Sequence, residues 1–313
     1  MGEYLEAQHG RLDDLPDIEQ LTPRVNRIMG GNAGLMRLQG TNTYLVGTGK
    51  SRLLIDTAQG HRQWIDSLIS VLDDLEIDVS HILLTHWHSD HTGGVPDLLE
   101  QRPHYKDRVY KCDPDRGQQP IIDGQQFRVK GATVQAIFTP GHAHDHMCFM
   151  LLEENALFTG DNVLGQGQTV FEDLGAFTQS LSDMAGLNCQ IGYPAHGPVI
   201  LDLPYKMEEC IRQKDARERQ IWLTLVAHKA SVGGKGSLTV SELVHKIYGN
   251  LPAEICKPVF EPSVLAVLGK LAEDRRVGFE IGYGDRRWFV REQRQPRRNQ
   301  LPAQRAISTP SVV

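Results

Sequence analysis

Three histidines and one aspartate fall within six residues of the segment THWHSDHTGG, residues 85–94. Neutral imidazole and carboxylate groups bind Zn²⁺ and also Mn²⁺ or Fe²⁺. Because side chains two positions apart in an extended segment lie on the same side, His86 and His88 are expected to point to one place. Asp90 and His91 follow at the turn into a helix and are expected to reach a neighbouring point. Two pairs of ligands directed at adjacent points are the arrangement that a dinuclear metal site needs.

Three further residues of the same two types occur later in the chain, each in a loop just past an apolar segment. They are His142 after a Pro-Gly turn, Asp161 after a Thr-Gly pair, and His196 between an alanine and a glycine. An isolated pair of histidines is more often explained by ordinary hydrogen bonding in the core than by a metal. Four ligand-type residues within six positions, with three more in later loops, favour the metal site.

Short apolar segments precede these loops and are predicted to be the strands that carry them. β-Strands are predicted at residues 42–46, 52–55, 81–84, 127–129, 133–138, 148–152, 156–158 and 190–193. Residues 67–75 have the periodicity of a helix. Strands that end in polar, glycine-rich loops are typical of an α/β protein whose functional residues lie on the loops.

The sequence pattern changes after residue 204, where helices replace the short strands. We predict a long helix over residues 206–228, a short helix capped by Thr239 or Ser241, a helix over residues 262–274 and a hairpin over residues 277–290. This order resembles a small winged-helix-like α+β module. The last residues are rich in Arg, Gln and Pro and predict a disordered tail. The predicted organisation is an N-terminal extension (1–24), a main domain (25–204), the C-terminal module (205–290) and the tail (291–313).

The composition narrows the class of protein and its expected location. The chain has 313 residues, a formal net charge of −6 and 40% hydrophobic residues, which predicts a globular core and no general attraction to nucleic acid. Its five cysteines are scattered without a C-x-x-C pair, so free thiols in a reducing compartment are expected. No apolar run reaches ~18 residues and the first residues do not resemble a signal peptide, so a cytoplasmic protein without membrane attachment is expected.

The order H-x-H-x-D-H, then His, Asp and His, resembles the signature of the metallo-β-lactamase superfamily over about residues 25–200. The resemblance implies the αββα sandwich of that family and two divalent metal ions, with Zn²⁺ preferred and Mn²⁺ or Fe²⁺ as alternatives. It implies that one ion is held by His86, His88 and His142, the other by Asp90, His91 and His196, and that Asp161 bridges both.

The resemblance also implies residues that support the ligands without binding the ions. Asp56, at the end of LLIDT, occupies the position of the family's first motif, and His146 lies where close relatives also carry a histidine. Both are expected to orient ligands through hydrogen bonds. Asp90 is expected to act as a proton acceptor in catalysis as well as a ligand. His144, in the same segment as His142, is interpreted as a polar surface residue.

One branch of the superfamily shares five phrases with this chain: LQGTNTYLVGTG, LLTHWHSDHTGG, TPGHAHDHM, TVFEDL and YPAHGPVI. That branch contains the lactamase-like protein 2 endoribonucleases and fungal stand-alone thioesterases that act beside non-reducing polyketide synthases. The N-terminal extension, the segment GGNAG and the acidic net charge favour the thioesterase. This implies an aromatic polyketide held as a thioester on an acyl carrier protein and released by hydrolysis or by Claisen-type cyclisation, within secondary metabolite biosynthesis.

Two other functions remain as alternatives to the thioesterase. The first is a metal-dependent single-strand endoribonuclease of the lactamase-like protein 2 type. Arginines at positions 286, 287, 291, 294, 297 and 298 would be its basic footprint, but they lack an interleaved aromatic run for base stacking and are interpreted as a solvated tail. The second is a non-catalytic interaction protein, which the complete set of ligand-type residues disfavours.

Two alanines depart from the pattern of the resembling family, in which glycine is usual at both positions. They are Ala58, two residues after Asp56, and Ala195, directly before His196. An alanine is harmless where the backbone φ is negative and costly where φ is positive. Metal binding is therefore expected to survive both changes, whereas the geometry of these loops depends on their φ angles.

Overall fold

Two β-sheets form the centre of the protein in the computed structural model, which describes residues 12–34, 36–232, 234–250, 252–282 and 284–291. The strands of the first sheet are β1 (Ile18–Thr22), β2 (Val25–Met29), β3 (Asn42–Val46), β4 (Ser51–Ile55), β5 (Asp78–Leu83), β6 (Val109–Lys111) and β7 (Gln119–Pro120). Those of the second are β8 (Gln126–Val129), β9 (Ala132–Phe138), β10 (Met147–Leu151), β11 (Ala156–Gly160) and β12 (Ile191–Pro194). Within these described residues, every strand predicted from the sequence is present, with bounds that differ by a few residues.

The strand directions bring several loops to one edge of the molecule. In the first sheet the strands lie in chain order, and β4 pairs with β5 in parallel. In the second the order is β12-β11-β10-β9-β8, and β11 pairs with β12 in parallel. Strand β9 runs in the same direction as β11, because both are antiparallel to β10 between them. Ligand sites of α/β sheets lie at the carboxyl ends of such strands.

Helices cover the outer face of each sheet. They are α1 (Arg62–Asp74), α2 (Ser89–Thr92), α3 (Val95–Gln101), α4 (Leu174–Gly186), α5 (Leu203–Val232), α6 (Val240–Tyr248), α7 (Ala253–Ile255) and α8 (Glu261–Glu273). Tyr44 and Phe158 lie in the core between the two sheets, and Trp64 of α1 lies in a second core outside the first sheet. Phe177 of α4 belongs to a third core outside the second sheet. This layering confirms the predicted αββα sandwich.

The C-terminal elements share the third core rather than forming a separate one. Leu225 of α5, Leu243 of α6 and Leu268 of α8 pack in the same cluster as Leu157 of the second sheet. A hairpin of β13 (Val277–Gly282) and β14 (Asp285–Val290) follows. Helix α6 begins with a reciprocal cap. Of the two predicted cap residues, Thr239 holds this position: its hydroxyl accepts the Glu242 N–H at 3.1 Å, and Glu242 accepts the Thr239 N–H at 2.8 Å.

Part of the segment predicted as an N-terminal extension belongs to the first sheet. Strand β1 pairs antiparallel with β2, so the sheet begins before the predicted boundary at residue 25. The sequence IEQLT gives little signal, because an edge strand with partly exposed residues has no clear apolar alternation. Residues 1–11 and the predicted tail from residue 292 lie outside the described residues. Over the described ranges, no helix combines the length and apolar character needed to cross a bilayer.

Candidate metal centre

The loops at the common edge of the two sheets bring the seven predicted ligands together. His86 and His88 follow β5, Asp90 and His91 lie in α2, His142 follows β9, Asp161 follows β11, and His196 follows β12. The seven side chains form two adjacent groups, and within each group one nitrogen or oxygen atom from every residue lies within 4.8 Å of the others. The strand directions account for this convergence of residues that are up to about 110 positions apart in the chain.

The first group contains His86, His88, His142 and Asp161. His86 Nε2 lies 2.8 Å from His88 Nδ1, and His142 Nε2 lies 3.1 Å from the same atom. The distance from His142 Nε2 to Asp161 Oδ2 is 3.4 Å. Three imidazole nitrogens and one carboxylate oxygen therefore face a common point.

The second group contains Asp90, His91 and His196. His196 Nε2 lies 3.4 Å from Asp90 Oδ2, and His91 Nε2 lies 3.7 Å from the same oxygen. The remaining oxygen of Asp161, Oδ1, lies 3.3 Å from His196 Nε2 and 3.5 Å from His91 Nε2. Asp161 thus directs one oxygen to each group, which is the position that the resemblance implies for a bridging ligand.

Three buried polar atoms at the centre have no hydrogen-bond partner among the described residues. They are His91 Nε2, His196 Nε2 and Asp161 Oδ1. A buried polar atom without a partner costs roughly 1–3 kcal/mol, and this cost disappears when the atom binds a cation. Imidazole and carboxylate donors in two adjacent groups fit a pair of divalent ions such as Zn²⁺, Mn²⁺ or Fe²⁺. The residues present therefore fit a dinuclear cation site.

Charges within the centre also favour a bound cation. Burial raises the pKa of Asp161, but the neighbouring His196 and His91 outweigh burial and hold its pKa well below the usual value. Burial lowers the pKa of His196, yet Asp161 and Asp90 overcome that effect and raise it to about 9. The carboxylates thus draw protons onto these imidazoles. A divalent cation replaces such protons when it binds, because a ligating histidine must be neutral.

Hydrogen bonds from behind fix the orientation of the histidines. Asp56 Oδ2 accepts the Nδ1–H of His91 at 2.8 Å, which fixes the ring proton on Nδ1 and directs Nε2 into the centre, where a cation can replace any proton on it. Asp56 also accepts the Thr85 N–H at 2.8 Å and the Thr85 hydroxyl at 2.9 Å. His142 Nδ1 donates to the Val170 carbonyl at 2.8 Å. Bonds of this kind set which ring nitrogen is available to a metal.

His146 supports the bridging position through the backbone of Asp161. Its Nε2 accepts the Asp161 N–H at 3.1 Å, so the ring proton lies on Nδ1, which faces the Thr139 hydroxyl at 3.0 Å. Burial lowers the pKa of His146 well below the usual value, which keeps the ring neutral and able to accept. The segment GHAHDHM contains two other histidines: His142 faces the centre, whereas the His144 side chain is exposed, 63% accessible.

A buried ion pair near the centre was not predicted from the sequence. Lys111 Nζ lies 3.1 Å from Asp145 Oδ2, and both side chains are almost fully buried. Asp145 Oδ1 also accepts the backbone N–H of Trp87 at 3.3 Å. The pair therefore connects the loop that carries His142 with the loop that carries His88. The only signal in the sequence is the aspartate within GHAHDHM, and nothing near it in the chain indicates a lysine partner.

The backbone angles distinguish the two alanines that replace the usual glycines. Ala58 has a φ of 52°, in the left-handed region, whereas Ala195 does not adopt a positive φ. Both residues are buried. An alanine in the left-handed region costs about 1–2 kcal/mol, because its Cβ approaches the following carbonyl oxygen.

We therefore expect Ala58→Gly to give a free energy of unfolding about 1–2 kcal/mol higher than Ala195→Gly. Both variants lose one buried methyl group and gain freedom in the unfolded chain, but only Ala58→Gly relieves the positive φ. Urea denaturation of the two metal-free variants measures the difference. Equal free energies of unfolding would contradict the assignment of backbone strain to Ala58.

A cavity of about 610 Å³ opens onto the centre. Its walls include the metal-group residues His88, His142 and Asp161. Apolar side chains form much of the remainder, namely Met36, Leu38, Trp87, Leu164, Val170, Phe171 and Phe260. Cavities of this size and lining bind small organic ligands. The centre thus lies beside a space that can hold a bulky apolar or aromatic group.

This fold, with paired sheets and a seven-residue His and Asp centre at one edge, is that of the metallo-β-lactamases. Residues 36–196 match the metallo-beta-lactamase superfamily, and the chain belongs to that superfamily. It is 57% identical over 294 residues to the lactamase-like protein adaB of Aspergillus niger, covering 92% of each chain. It is 54% identical over 288 residues to the atrochrysone carboxyl ACP thioesterase of Aspergillus chevalieri, covering 92% of this chain and 94% of the relative.

Solved structures show the same fold at lower sequence identity. A beta-lactamase domain protein from Burkholderia ambifaria superposes with a TM-score of 0.76 at 16% identity, covering 89% of this chain and 96% of that one. A metallo-beta-lactamase family protein from Thermus thermophilus gives a TM-score of 0.68 at 25% identity, covering 87% and 100%. These coverages extend past residue 204, so the similarity is not limited to the two-sheet domain.

Proposed function

We propose that the protein is a metal-dependent thioesterase that releases an aromatic polyketide from the acyl carrier protein of a non-reducing polyketide synthase. The observation that carries the proposal is the convergence of seven His and Asp side chains beside an apolar cavity, in a chain that is 54% identical to an atrochrysone carboxyl ACP thioesterase. Five cysteines without disulfide partners favour a reducing compartment, so we place the activity in the cytoplasm.

His86, His88 and His142 would hold one ion, Asp90, His91 and His196 the other, and Asp161 both, with Zn²⁺ as the preferred metal. When bound, such ions act as Lewis acids and lower the pKa of water from about 15.7 to ~7. Asp56 and His146 maintain the orientation of His91 and Asp161 through the hydrogen bonds described above. They do this without facing the cavity.

The remaining steps are assigned to residues that line the cavity. Asp90 lies on the cavity wall, and we assign it as the acceptor of the proton of the attacking water. Burial raises the pKa of Asp90, but hydrogen bonding to His196 outweighs burial and keeps the carboxylate ionised. The apolar walls orient the acyl group and exclude bulk water around the thioester carbonyl. The thiolate of the carrier arm leaves with little help from an acid, because the pKa of a thiol is only about 8.5.

Turnover of a defined carrier-bound thioester tests the proposal. Purified protein is expected to release an aromatic acyl group from an acyl carrier protein at least about 100-fold faster than buffer, and the mass of the product distinguishes hydrolysis from ring closure. A chelator and the substitution His88→Ala should each abolish this rate enhancement, because the activity needs bound metal and His88 belongs to the first group of ligands. Single-stranded RNA is the competing substrate: cleavage of RNA without thioester turnover would replace the thioesterase by the endoribonuclease.

A further inference from the structure

One lysine interrupts the buried face of the long helix α5. The buried residues of this helix are Leu203, Met207, Cys210, Lys214, Ile221 and Leu225, spaced at intervals of three, four and seven. This is the apolar stripe of a helix that packs on a core. Lys214 is only 7% exposed, and a lysine is rarely buried to this extent unless it is paired.

Within the described part of the chain, the ammonium group of Lys214 has no acidic partner. It donates a hydrogen bond to the Thr169 carbonyl at 3.0 Å, which uses one of its three N–H donors. Nζ also lies 4.6 Å from the centre of the Phe171 ring and 5.4 Å from that of Phe177. Burial, opposed by Cys210 and assisted by Arg217, lowers the pKa of Lys214 to about 8. The group is thus a largely desolvated cation held by a carbonyl and two aromatic rings.

Lys214 lines the same cavity as the metal centre. The cavity wall includes Lys214 and Arg217 from α5 and His88, His142 and Asp161 from the centre. Within the described residues, neither Lys214 nor Arg217 forms an ion pair, and Arg217 lies 5.0 Å from the centre of the Tyr248 ring. The cavity therefore has a second polar region, which is positively charged, in addition to the metal centre.

We propose that Lys214 binds an acidic oxygen of the acyl group, either the enol of a 1,3-diketone or a phenol, while the thioester lies at the metal centre. Such an oxygen accepts hydrogen bonds from the remaining N–H groups of the ammonium and supplies a negative charge that none of the described side chains places beside Lys214. The flat apolar remainder of the acyl group lies against the surrounding apolar wall. Lys214 is then a specificity-determining residue that distinguishes oxygenated aromatic acyl groups from plain ones. This inference rests on the proposed thioesterase function.

Lys214→Met tests the proposal, because methionine keeps the length and apolar stem of the side chain without its charge. The probes are N-acetylcysteamine thioesters of 6-hydroxy-2-naphthoate and 6-methoxy-2-naphthoate, which differ in one acidic oxygen. We expect the variant to raise KM for the hydroxy probe by about 10- to 100-fold, the effect of losing a hydrogen bond to a charged group. The value for the methoxy probe should change less than about 3-fold. Arg219→Met, an exposed residue of the same helix that does not line the cavity, is the matched control.

Other outcomes distinguish the alternatives. An equal loss with both probes would overturn the proposal and make Lys214 a residue that only supports the loop containing Thr169. A rise in KM confined to carrier-bound substrate would also overturn the proposal. It would indicate that Lys214 binds the phosphate of the carrier arm, because the probes carry no phosphate. If the wild-type protein turns over neither probe and no carrier-bound thioester, the thioesterase proposal fails. Isothermal titration with 2-naphthol and 2-methoxynaphthalene still tests Lys214 in that case, through selective loss of naphthol binding in the variant.

Discussion

Replacing Asp161 by asparagine is expected to lower thioester turnover by about 1,000-fold or more, because even one pre-positioned electrostatic group is worth roughly 10²–10³-fold. Asp161 directs Oδ2 to His142 Nε2 at 3.4 Å and Oδ1 to His196 Nε2 at 3.3 Å. An amide has the same shape but no charge, and one of its two terminal atoms is a donor. It therefore cannot supply an anionic oxygen to both groups.

The metal content of the same variant separates a binding defect from a folding defect. Inductively coupled plasma mass spectrometry after dialysis is expected to show about two metal ions per wild-type chain and one or fewer in Asp161→Asn. His144→Asn is the control, because this exposed histidine lies in the same loop as His142 without facing the centre. Full turnover by Asp161→Asn, or unchanged metal content, would contradict the bridging role of Asp161.

The two-sheet fold and the convergence of the ligands could be predicted because their signals are local. Four ligand-type residues occupy one short segment, and His142, Asp161 and His196 each follow an apolar strand. Strand ends of this kind meet at one edge of an α/β fold, so their positions along the chain are sufficient. The resemblance to the metallo-β-lactamase superfamily then gave an assignment of each ligand to an ion.

The features that the sequence does not reveal depend on contacts between distant parts of the chain. Lys214 reaches the cavity from a helix that begins after the last ligand, and nothing in the spacing of the ligands indicates this. The partner of Asp145 is Lys111, 34 positions earlier. The positive φ of Ala58 results from how the loop after β4 packs. The residue type alone would predict a negative φ, because an alanine disfavours the left-handed region. Such features follow from tertiary packing and not from local pattern.

Replacing Asp56 by asparagine is expected to weaken metal binding by about 10- to 100-fold while leaving the fold intact, since partners behind metal ligands typically contribute this much. Asp56 has a φ of 60°, and asparagine is among the residues that adopt the left-handed region most readily. In the wild type, the Thr85 N–H and hydroxyl lie 2.8 and 2.9 Å from the carboxylate. The asparagine oxygen still accepts the Thr85 N–H, and its NH₂ group donates to the hydroxyl oxygen. It cannot accept the Nδ1–H of His91 as well, so the preference of His91 for a bare Nε2 is lost.

Asp56→Ala, unlike Asp56→Asn, is expected to lower the free energy of unfolding. It leaves the buried Thr85 N–H without an acceptor, at roughly 1–3 kcal/mol, and it places an alanine at positive φ. It also removes the carboxylate that accepts the Thr85 hydroxyl and the Nδ1–H of His91. Competition with a chromophoric chelator measures the metal dissociation constants, and urea denaturation of the metal-free proteins measures stability. Asp202→Asn, which alters an exposed helix cap at the start of α5, should change neither by much. If Asp56→Asn bound metal as tightly as the wild type, Asp56 would serve the fold alone, and the carboxylate behind His91 would have no part in preparing the centre.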